Sequence, residues 1–173
     1  MNLRITGGKF GSRILKSAPT LRPATDKVRK AVFDILGNKV IDTKFLDLFA
    51  GSGAVGIEAL SRGAAHAVFI EKDRSHYNLI KQNLKLLNIK EATVRLMRVE
   101  DFVLANRATY DVIFAAPWYD DALDITGWED LLADEGVLVI EYRSSAKPPR
   151  NPNLRIINQK RYGDTSLAFY TRA

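Results

Sequence analysis

A glycine turn follows directly on a short apolar run at residues 47–53, which read Asp-Leu-Phe-Ala-Gly-Ser-Gly. The apolar run is typical of a buried strand, and the residues from Ala54 onward favour a helix. Glycines at such a turn let the backbone pass close to a bound molecule, and the N-terminus of the following helix presents free N–H groups to it. The spacing therefore predicts a binding loop for a nucleotide-type cofactor.

The glycine spacing does not by itself identify the cofactor. Residues 51–56 also fit the dinucleotide fingerprint G-x-G-x-x-G. Glu71 ends the next apolar run, eighteen positions after Gly53, where proteins that bind NAD and proteins that bind S-adenosylmethionine both place a carboxylate on ribose hydroxyls. The choice between the two cofactors therefore depends on the rest of the chain.

Strand-like and helix-like segments alternate through the middle of the chain. The predicted strands are 45–49, 67–71, 93–97, 112–115 and 137–142, and the predicted helices are 54–62 and 74–87, with helix-like segments near Phe102 and over 123–133. This alternation predicts an α/β protein with a mostly parallel sheet covered on both faces. A ligand then lies at the carboxyl ends of the strands.

The C-terminal region breaks the alternation. Residues 154–161 and 166–170 are predicted strands joined by a turn at Gly163-Asp164, which is too short for a crossover helix, so the pair must be antiparallel. A parallel sheet that ends in an antiparallel hairpin resembles the Rossmann-like fold of class I methyltransferases, whereas a dinucleotide-binding sheet continues with parallel crossovers. The ending favours S-adenosylmethionine. The alternative hypothesis, an NAD-dependent oxidoreductase, is supported only by the G-x-G-x-x-G fingerprint.

The excess positive charge of the chain lies in its first thirty residues. Eight Lys and Arg residues face one Asp there, a net charge of +7, while the whole chain carries +6. A solvated charged face is one interpretation. Concentrated positive charge beside a neutral catalytic body is also how a protein binds phosphates, so we expect a nucleic-acid partner.

Two small elements precede the cofactor loop. Residues 3–6 and 10–16 predict a β-hairpin, and Thr25 is expected to cap a helix that Gly37 ends. That helix leaves Arg29 available to solvent or to a partner. We therefore divide the chain into a basic extension, residues 1–38, that packs on the main domain and is expected to contact a nucleic acid, and a methyltransferase domain, residues 39–173.

The composition excludes several other chemistries. The chain has no cysteine, which excludes disulfides, thiolate metal sites and a cysteine nucleophile. Its two histidines, His66 and His76, lie ten residues apart without a supporting motif, so we expect structural roles for both and no metal site. No apolar run approaches the roughly 18 residues that span a bilayer, and the N-terminus lacks the apolar region of a signal peptide. We expect a cytoplasmic, monomeric enzyme without membrane contact.

The stretch after the predicted strand 112–115 is similar to a tetrapeptide of methyltransferases that act on exocyclic amines, namely Asp or Asn, Pro, Pro and an aromatic residue. An arylamine lone pair is delocalised into the base, so one side-chain acceptor and one carbonyl for the amine hydrogens aid the reaction while the aromatic ring stacks on the extracted base. The residues here are Ala116, Pro117, Trp118 and Tyr119. Packing at a strand end is the alternative role for the two aromatic rings.

Six stretches resemble the RsmD family of guanine-N2 methyltransferases of bacterial small-subunit ribosomal RNA. They are residues 4–8, 21–29, 47–53, 58–64, 71–74 and 162–165. The resemblance extends over essentially the whole chain and is most specific where 22–29 is followed by the glycine loop. It implies methyl transfer from S-adenosylmethionine to the N2 amine of a guanine, in ribosomal RNA or in an assembling small subunit.

The resemblance also implies the binding residues. The cofactor would be surrounded by Asp47, Phe49, Ala50, Gly51, Gly53, Glu71 and Lys72, with Glu71 on the ribose hydroxyls. The usual acidic residue for adenine is replaced by a different pattern, so Glu100 and Asp101 are both candidates, and solvated or helix-capping roles stay open for them. The expected RNA contacts are Arg4, Lys9, Arg13, Arg22 and Arg29.

Ala116 departs from the family, which has a catalytic Asp at this position. Loss of one such transition-state contact costs roughly 3 to 4 kcal/mol, or about 100- to 1000-fold in rate. Asp120 or Asp121 can replace it or can cap a following helix. The alternative function is a degenerate relative that binds S-adenosylmethionine and RNA with little catalysis.

Overall fold

A computed structural model of the chain describes residues 3–118 and 122–173. Its strands are β1 (Leu3–Arg4), β2 (Ile14–Leu15), β3 (Lys44–Leu48), β4 (His66–Glu71), β5 (Ala92–Leu96), β6 (Tyr110–Ala115), β7 (Leu132–Arg143), β8 (Leu154–Tyr162) and β9 (Thr165–Arg172). Its helices are α1 (Asp26–Leu36), α2 (Ala54–Ser61), α3 (Arg74–Leu86) and α4 (Val99–Ala105), with 3-10 turns at Gly37–Val40 and Trp128–Leu131.

Seven strands form one sheet in the order β5-β4-β3-β6-β7-β9-β8. The pairs from β5 to β7 are parallel, whereas β9 is antiparallel to both β7 and β8. The predicted Rossmann-like sheet with a C-terminal antiparallel hairpin is confirmed. The order reverses at β3, so the carboxyl ends of β3 and β6 border the crevice where such sheets bind ligands.

The central strand β3 is buried on both faces. Phe45 packs with Phe33 of α1, with ring centroids 6.2 Å apart, on one face of the sheet. Leu46 and Leu48 belong to a second apolar cluster on the other face. Continuous apolar strands of this kind are typical of a parallel sheet between two layers.

The predicted helix-like segment over 123–133 is wrong. Only a 3-10 turn at Trp128–Leu131 is present in this stretch, and β7 begins at Leu132 instead of residue 137. The buried residues Ile125, Trp128 and Leu131 follow a three-residue spacing that imitates a helix. Gly127 adopts φ 80°, a left-handed conformation that a helix cannot continue through.

The N-terminal hairpin is docked on the end of α2. Lys9 N–H donates to the Ser61 carbonyl (2.7 Å), and the Ser61 hydroxyl donates to the Gly7 carbonyl (2.6 Å). Gly8 has φ 77°, and a Cβ atom there would lie 2.0 Å from the Ser61 carbonyl oxygen. Apolar residues of the hairpin share one cluster with the sheet. The division at residues 38 and 39 stays a prediction.

Helix α1 has the predicted ends, but the exposure predicted for Arg29 is wrong. This side chain is 1% exposed and its guanidinium donates to Glu58 Oε2 (3.3 Å) and Asp26 Oδ1 (2.6 Å). The reason is Glu58, a fully buried carboxylate on α2 that needs a cation beside it. Arg29 therefore stabilises the fold and is not a surface for RNA.

No helix among residues 3–118 and 122–173 is long and apolar enough to cross a membrane.

Candidate active site

A cavity of about 740 Å³ lies at the carboxyl ends of β3, β4 and β6. Its wall is formed by residues 21–24, by the glycine loop and the start of α2, by 70–72 and His76, by 97–100 and 103–104, and by Phe114, 116–118, 122–124, Thr126 and Trp128. The predicted cofactor loop and the predicted amine-binding stretch thus open into the same space.

The glycine loop turns sharply beneath the cavity. Phe49 and Gly51 both have φ 58°, and a positive φ is costly for Phe, which has a side chain on Cβ. Below the turn, buried Asp47 accepts a hydrogen bond from Gly56 N–H (2.9 Å). Burial raises the pKa of the Asp47 carboxyl well above its usual value; the hydrogen bond acts against this, and the charge of Glu71 adds to it.

Glu71 connects the glycine loop to the loop that follows β4, and we call this part of the cavity the cofactor end. Its Oε2 atom accepts from Gly51 N–H (2.8 Å), and its Oε1 atom accepts from Asp73 N–H (2.9 Å). The carboxylate lines the cavity at the end of β4. It is therefore placed where the ribose of a nucleoside cofactor is bound in this kind of sheet.

Most of the predicted cofactor residues line the cavity, namely Asp47, Phe49, Ala50, Gly51, Glu71, Lys72 and Glu100. Gly53 and Asp101 do not. Gly53 is the N-cap of α2, and a Cβ atom there would lie 3.1 Å from Ile80. Asp101 is exposed on α4, whereas Glu100 lines the cavity and pairs with Arg98 (3.3 Å).

The absence of a Cβ atom at Gly51 has a second reason that the sequence did not indicate. A Cβ atom at Gly51 would lie 3.1 Å from Leu21 Cδ2, because the N-terminal segment packs on the glycine loop. Residues 21–24 form part of the cavity wall. Their position depends on a contact between segments that are distant in the sequence, so no local pattern predicts it.

The predicted amine-binding stretch continues from the end of β6. Ala116, Pro117 and Trp118 line the cavity, with buried Phe114 beneath them. Trp118 is 52% exposed, which is unusual for a ring whose only role is packing. Tyr119, Asp120 and Asp121 lie outside the described residues.

Asp124 lines the same cavity and was not among the predicted site residues. Its Oδ1 atom accepts hydrogen bonds from the hydroxyl of Thr126 (2.6 Å) and from the Thr126 N–H (2.9 Å). These bonds lower the pKa of Asp124, the hydroxyl most strongly, so the group is a carboxylate at neutral pH. The Asp-x-Thr sequence predicts this turn, but not that it faces the cavity.

His76, for which a structural role was expected, also lines the cavity. Its Nε2 atom forms a hydrogen bond with the hydroxyl of Thr20 (3.0 Å). Its Nδ1 atom lies 3.7 Å from Asp73 Oδ1 and 4.0 Å from Glu71 Oε1. The imidazole thus lies between Thr20 of the N-terminal segment and the Glu71 carboxylate.

Four of the five residues predicted to contact RNA are exposed. Arg4, Lys9 and Arg13 lie on the hairpin, and Arg22 lies at the cavity wall; Arg29 is the buried exception. The RNA contacts of the four exposed residues stay a prediction.

The cavity has the chemical groups that S-adenosylmethionine needs. The Glu71 carboxylate can accept from ribose hydroxyls, and Ile70, Met97 and Val99 form an apolar wall for a purine. Glu100 at the same wall can accept from an exocyclic amine. No group of three or more acidic, His or Cys side chains suited to a metal ion occurs in the described part of the chain.

A model of the family described as Conserved hypothetical protein 95 matches residues 3–171. "Ribosomal RNA small subunit methyltransferase D" of Escherichia coli (strain K12) is 34% identical over 181 residues, which cover 98% of this chain and 90% of that protein. A solved structure of a "Putative methyltransferase yhhF from Escherichia coli" superposes with a TM-score of 0.91 at 32% identity, covering 99% of this chain and 98% of that chain.

A more distant solved structure shares the fold. It is SMU.776, "a putative methyltransferase complexed with SAH", with a TM-score of 0.68 at 12% identity, covering 86% of this chain and 50% of that chain. The methyltransferase fold predicted from the C-terminal hairpin is confirmed by these structures. The chain belongs to the RsmD-type family of ribosomal RNA small-subunit methyltransferases, the family described as Conserved hypothetical protein 95.

Proposed function

We propose that this protein transfers a methyl group from S-adenosylmethionine to the exocyclic N2 amine of a guanine in small-subunit ribosomal RNA. The observation that carries the proposal is the single cavity, which joins the glycine loop and Glu71 at one end to Ala116, Pro117 and Trp118 at the other. A cofactor and a flipped base can therefore lie side by side in it.

The relatives support the substrate class and the cofactor. The Escherichia coli protein is named a small-subunit ribosomal RNA methyltransferase, and the structure of SMU.776 contains SAH. The choice of an exocyclic amine rests on the Pro117 carbonyl and the aromatic residue beside it. A ribosomal RNA substrate also implies a cytoplasmic site of action.

When bound, S-adenosylmethionine supplies an electrophilic methyl group. The protein contributes alignment and hydrogen-bond acceptors, because no covalent intermediate is needed for a direct displacement. The Pro117 carbonyl accepts from one amine hydrogen, which increases the nucleophilic character of the nitrogen. The exposed ring of Trp118 stacks on the extracted base, and Glu71 orients the ribose of the cofactor.

Ala116 supplies no acceptor for the second amine hydrogen. We assign this role to Asp124, which lines the same cavity and is ionised. Its Oδ1 atom is held by Thr126, while its Oδ2 atom has no hydrogen-bond partner in the part of the chain that the structure describes. An enzyme with this arrangement keeps both acceptors although Ala116 replaces Asp.

The test is transfer of radiolabelled methyl from S-adenosylmethionine to small ribosomal subunits isolated from cells that lack this protein, followed by nucleoside analysis. We expect labelled N2-methylguanosine. Label in another nucleoside would contradict the proposed amine specificity. No label, with binding of S-adenosylhomocysteine intact, would favour the degenerate binding protein, for which Ala116 is the support.

The alternative is separated further by Ala116→Asp. A degenerate protein should gain activity from the restored carboxylate. The active enzyme proposed above should change by less than about threefold, since Asp124 already supplies the contact. An NAD-dependent oxidoreductase would bind NADH, so binding of S-adenosylhomocysteine without binding of NADH would exclude it.

A further inference from the structure

Residues 16–24, which we call the docking segment, connect the basic hairpin to α1 and lie against the cofactor loop. Lys16 N–H donates to Asn83 Oδ1 (2.8 Å), and Asn83 Nδ2 donates to the Lys16 carbonyl (3.0 Å). The same Nδ2 atom donates to the carbonyl of Ser52 in the glycine loop (3.0 Å). Asn83 is fully buried, so one side chain of α3 bonds the docking segment to the glycine loop.

A second connection between the docking segment and α3 is made by His76, seven residues before Asn83. His76 bonds to the hydroxyl of Thr20, and its ring faces Glu71 at 4.0 Å. Next to Thr20, Leu21 packs on the glycine loop, where its Cδ2 atom would lie 3.1 Å from a Cβ atom at Gly51. The docking segment is thus bonded to the glycine loop through Asn83, and its partner His76 lies beside Glu71 at the end of β4.

The far end of the docking segment is also fixed. The guanidinium of Arg29 donates to the Ala24 carbonyl (2.7 Å) and to the carbonyl of Arg4 in the hairpin. The basic hairpin, the docking segment and the cofactor loop are therefore one connected body. A displacement of the hairpin acts on the wall of the cavity through the docking segment, because residues 21–24 belong to that segment and line the cavity.

We propose that His76 and Asn83 are positioning residues that hold the docking segment on the cofactor loop, so that RNA bound to the basic hairpin and S-adenosylmethionine bound in the cavity strengthen each other's binding. The inference rests on the proposed function for the identity of the two ligands. RNA phosphates on the hairpin restrict the docking segment, and the cofactor site that this segment walls is then better ordered. By linkage, the cofactor strengthens RNA binding by the same factor.

The chain contains a matched pair of hydrogen bonds for the test. Thr20 bonds to His76 at 3.0 Å beside the cavity, and Thr93 bonds to His66 at 2.9 Å between β4 and β5. Thr20→Val and Thr93→Val each remove one hydroxyl from a Thr–His pair. Thr20 is exposed, so its replacement leaves the core intact. Thr20→Ser keeps the hydroxyl and is the conservative rescue.

The measurement is the dissociation constant of S-adenosylhomocysteine with and without saturating small ribosomal subunits from cells that lack this protein. Allosteric coupling typically amounts to about 5- to 150-fold, so we expect at least about fivefold tightening in the wild type. Thr20→Val should reduce this factor to below about twofold, whereas Thr93→Val and Thr20→Ser should keep it. In steady-state assays Thr20→Val should raise KM for S-adenosylmethionine and leave kcat unchanged.

The inference is overturned if the subunits do not tighten binding to the wild type, or if Thr20→Val keeps the wild-type factor. These outcomes are distinct from failure of the proposed function. Cooperative binding without methylation would leave the inference intact and contradict the enzyme. Formation of N2-methylguanosine without coupling would do the reverse.

Discussion

The two ends of the cavity are built in different ways. At the cofactor end, polar groups are buried and bonded across segments: Asp47 to Gly56, Glu71 to Gly51, and Asn83 to Ser52. At the base end, Trp118 is half-exposed, and the hydrogen bonds that Asp124 forms with the described residues lie within its own turn. Bonds between segments therefore constrain the cofactor end, whereas the base end is open to solvent.

The difference extends behind the cavity. Glu58 accepts hydrogen bonds from Thr6 N–H (3.0 Å), Arg29 (3.3 Å) and Arg62 (3.2 Å), although it is fully buried. This cluster joins the hairpin, α1 and α2 behind the cofactor loop. The base end has no comparable buried ion pair among residues 3–118 and 122–173. Stability should therefore depend on the Glu58 cluster behind the cofactor loop, and catalysis on the base end of the cavity.

The largest effect is expected from Glu58→Gln, which removes the fully buried carboxylate between Arg29 and Arg62 and leaves Arg29 only the half-exposed Asp26 as a carboxylate partner. Breaking a buried ion pair from one side costs about 3–5 kcal/mol. Denaturant unfolding should show a loss of this size in the free energy of unfolding. The control is Glu100→Gln, whose pair with Arg98 is about two-thirds exposed on both sides and should cost less than about 0.5 kcal/mol. Equal losses in the two variants would contradict the expectation that the buried Glu58 cluster contributes more to stability than the exposed pair.

Asp124→Asn tests the base end without disturbing its turn. The Asn oxygen can still accept from Thr126, but the second oxygen becomes an amide donor. Loss of one transition-state acceptor costs about 100- to 1000-fold in kcat. Rates of methyl transfer should fall by this factor while the melting temperature stays constant. Asp134→Asn, at an exposed position of β7, is the control.

Adding Ala116→Asp to Asp124→Asn should restore most of the lost rate. This would show that one carboxylate replaces the other. If Asp124→Asn retains full kcat, the second acceptor lies elsewhere, and Asp120 and Asp121 become the candidates.

Trp118→Ala should weaken the interaction with the base and leave the fold unchanged. Stacking of an aromatic residue on a base contributes about 1–3 kcal/mol, so kcat/KM for the RNA should fall by about 5- to 150-fold. The dissociation constant of S-adenosylhomocysteine should not change. Ile157→Ala on β8 removes an equally exposed apolar side chain and should leave kcat/KM unaltered. A comparable loss in that control would indicate a general effect of surface substitution.

Asp47→Asn gives the smallest expected effect and tests whether the buried Asp47 carboxylate at the cofactor end lowers the free energy of unfolding. Burial raises the pKa of Asp47, so the unfolded chain ionises at lower pH than the folded protein does. The stability contributed by this group is complete below about pH 4 and is lost as the pH rises through the raised pKa. Asn keeps an acceptor for Gly56 N–H and carries no charge.

Unfolding measured from pH 4 to 8 should therefore show a flatter pH dependence for Asp47→Asn than for the wild type. At pH 7 the variant should be more stable than the wild type in the absence of cofactor. Its affinity for S-adenosylhomocysteine should fall. A variant that is less stable than the wild type at pH 7 would mean that the Gly56 contact outweighs the burial of charge.

Much of the fold follows from local sequence patterns. The alternation of apolar runs and amphipathic segments predicted the parallel strands and α1 to α3 with bounds within one or two residues, except for the start of β7, which lies five residues earlier. The short turn at Gly163 predicted the antiparallel hairpin, since a tight turn permits no other arrangement. The segment over 123–133 was misassigned because apolar spacing alone does not register a left-handed glycine at 127.

The candidate site divides in the same way. The sequence by itself determined the glycine loop, Glu71 and the Pro117-Trp118 stretch, because each of these is a short motif at the end of a strand. Only the tertiary structure decided that Arg29 is buried, that Leu21 packs on Gly51, and that His76 and Asp124 line the cavity. Each of those facts depends on contacts between residues far apart in the chain, and a local pattern of charge or polarity does not specify which partner a side chain will meet.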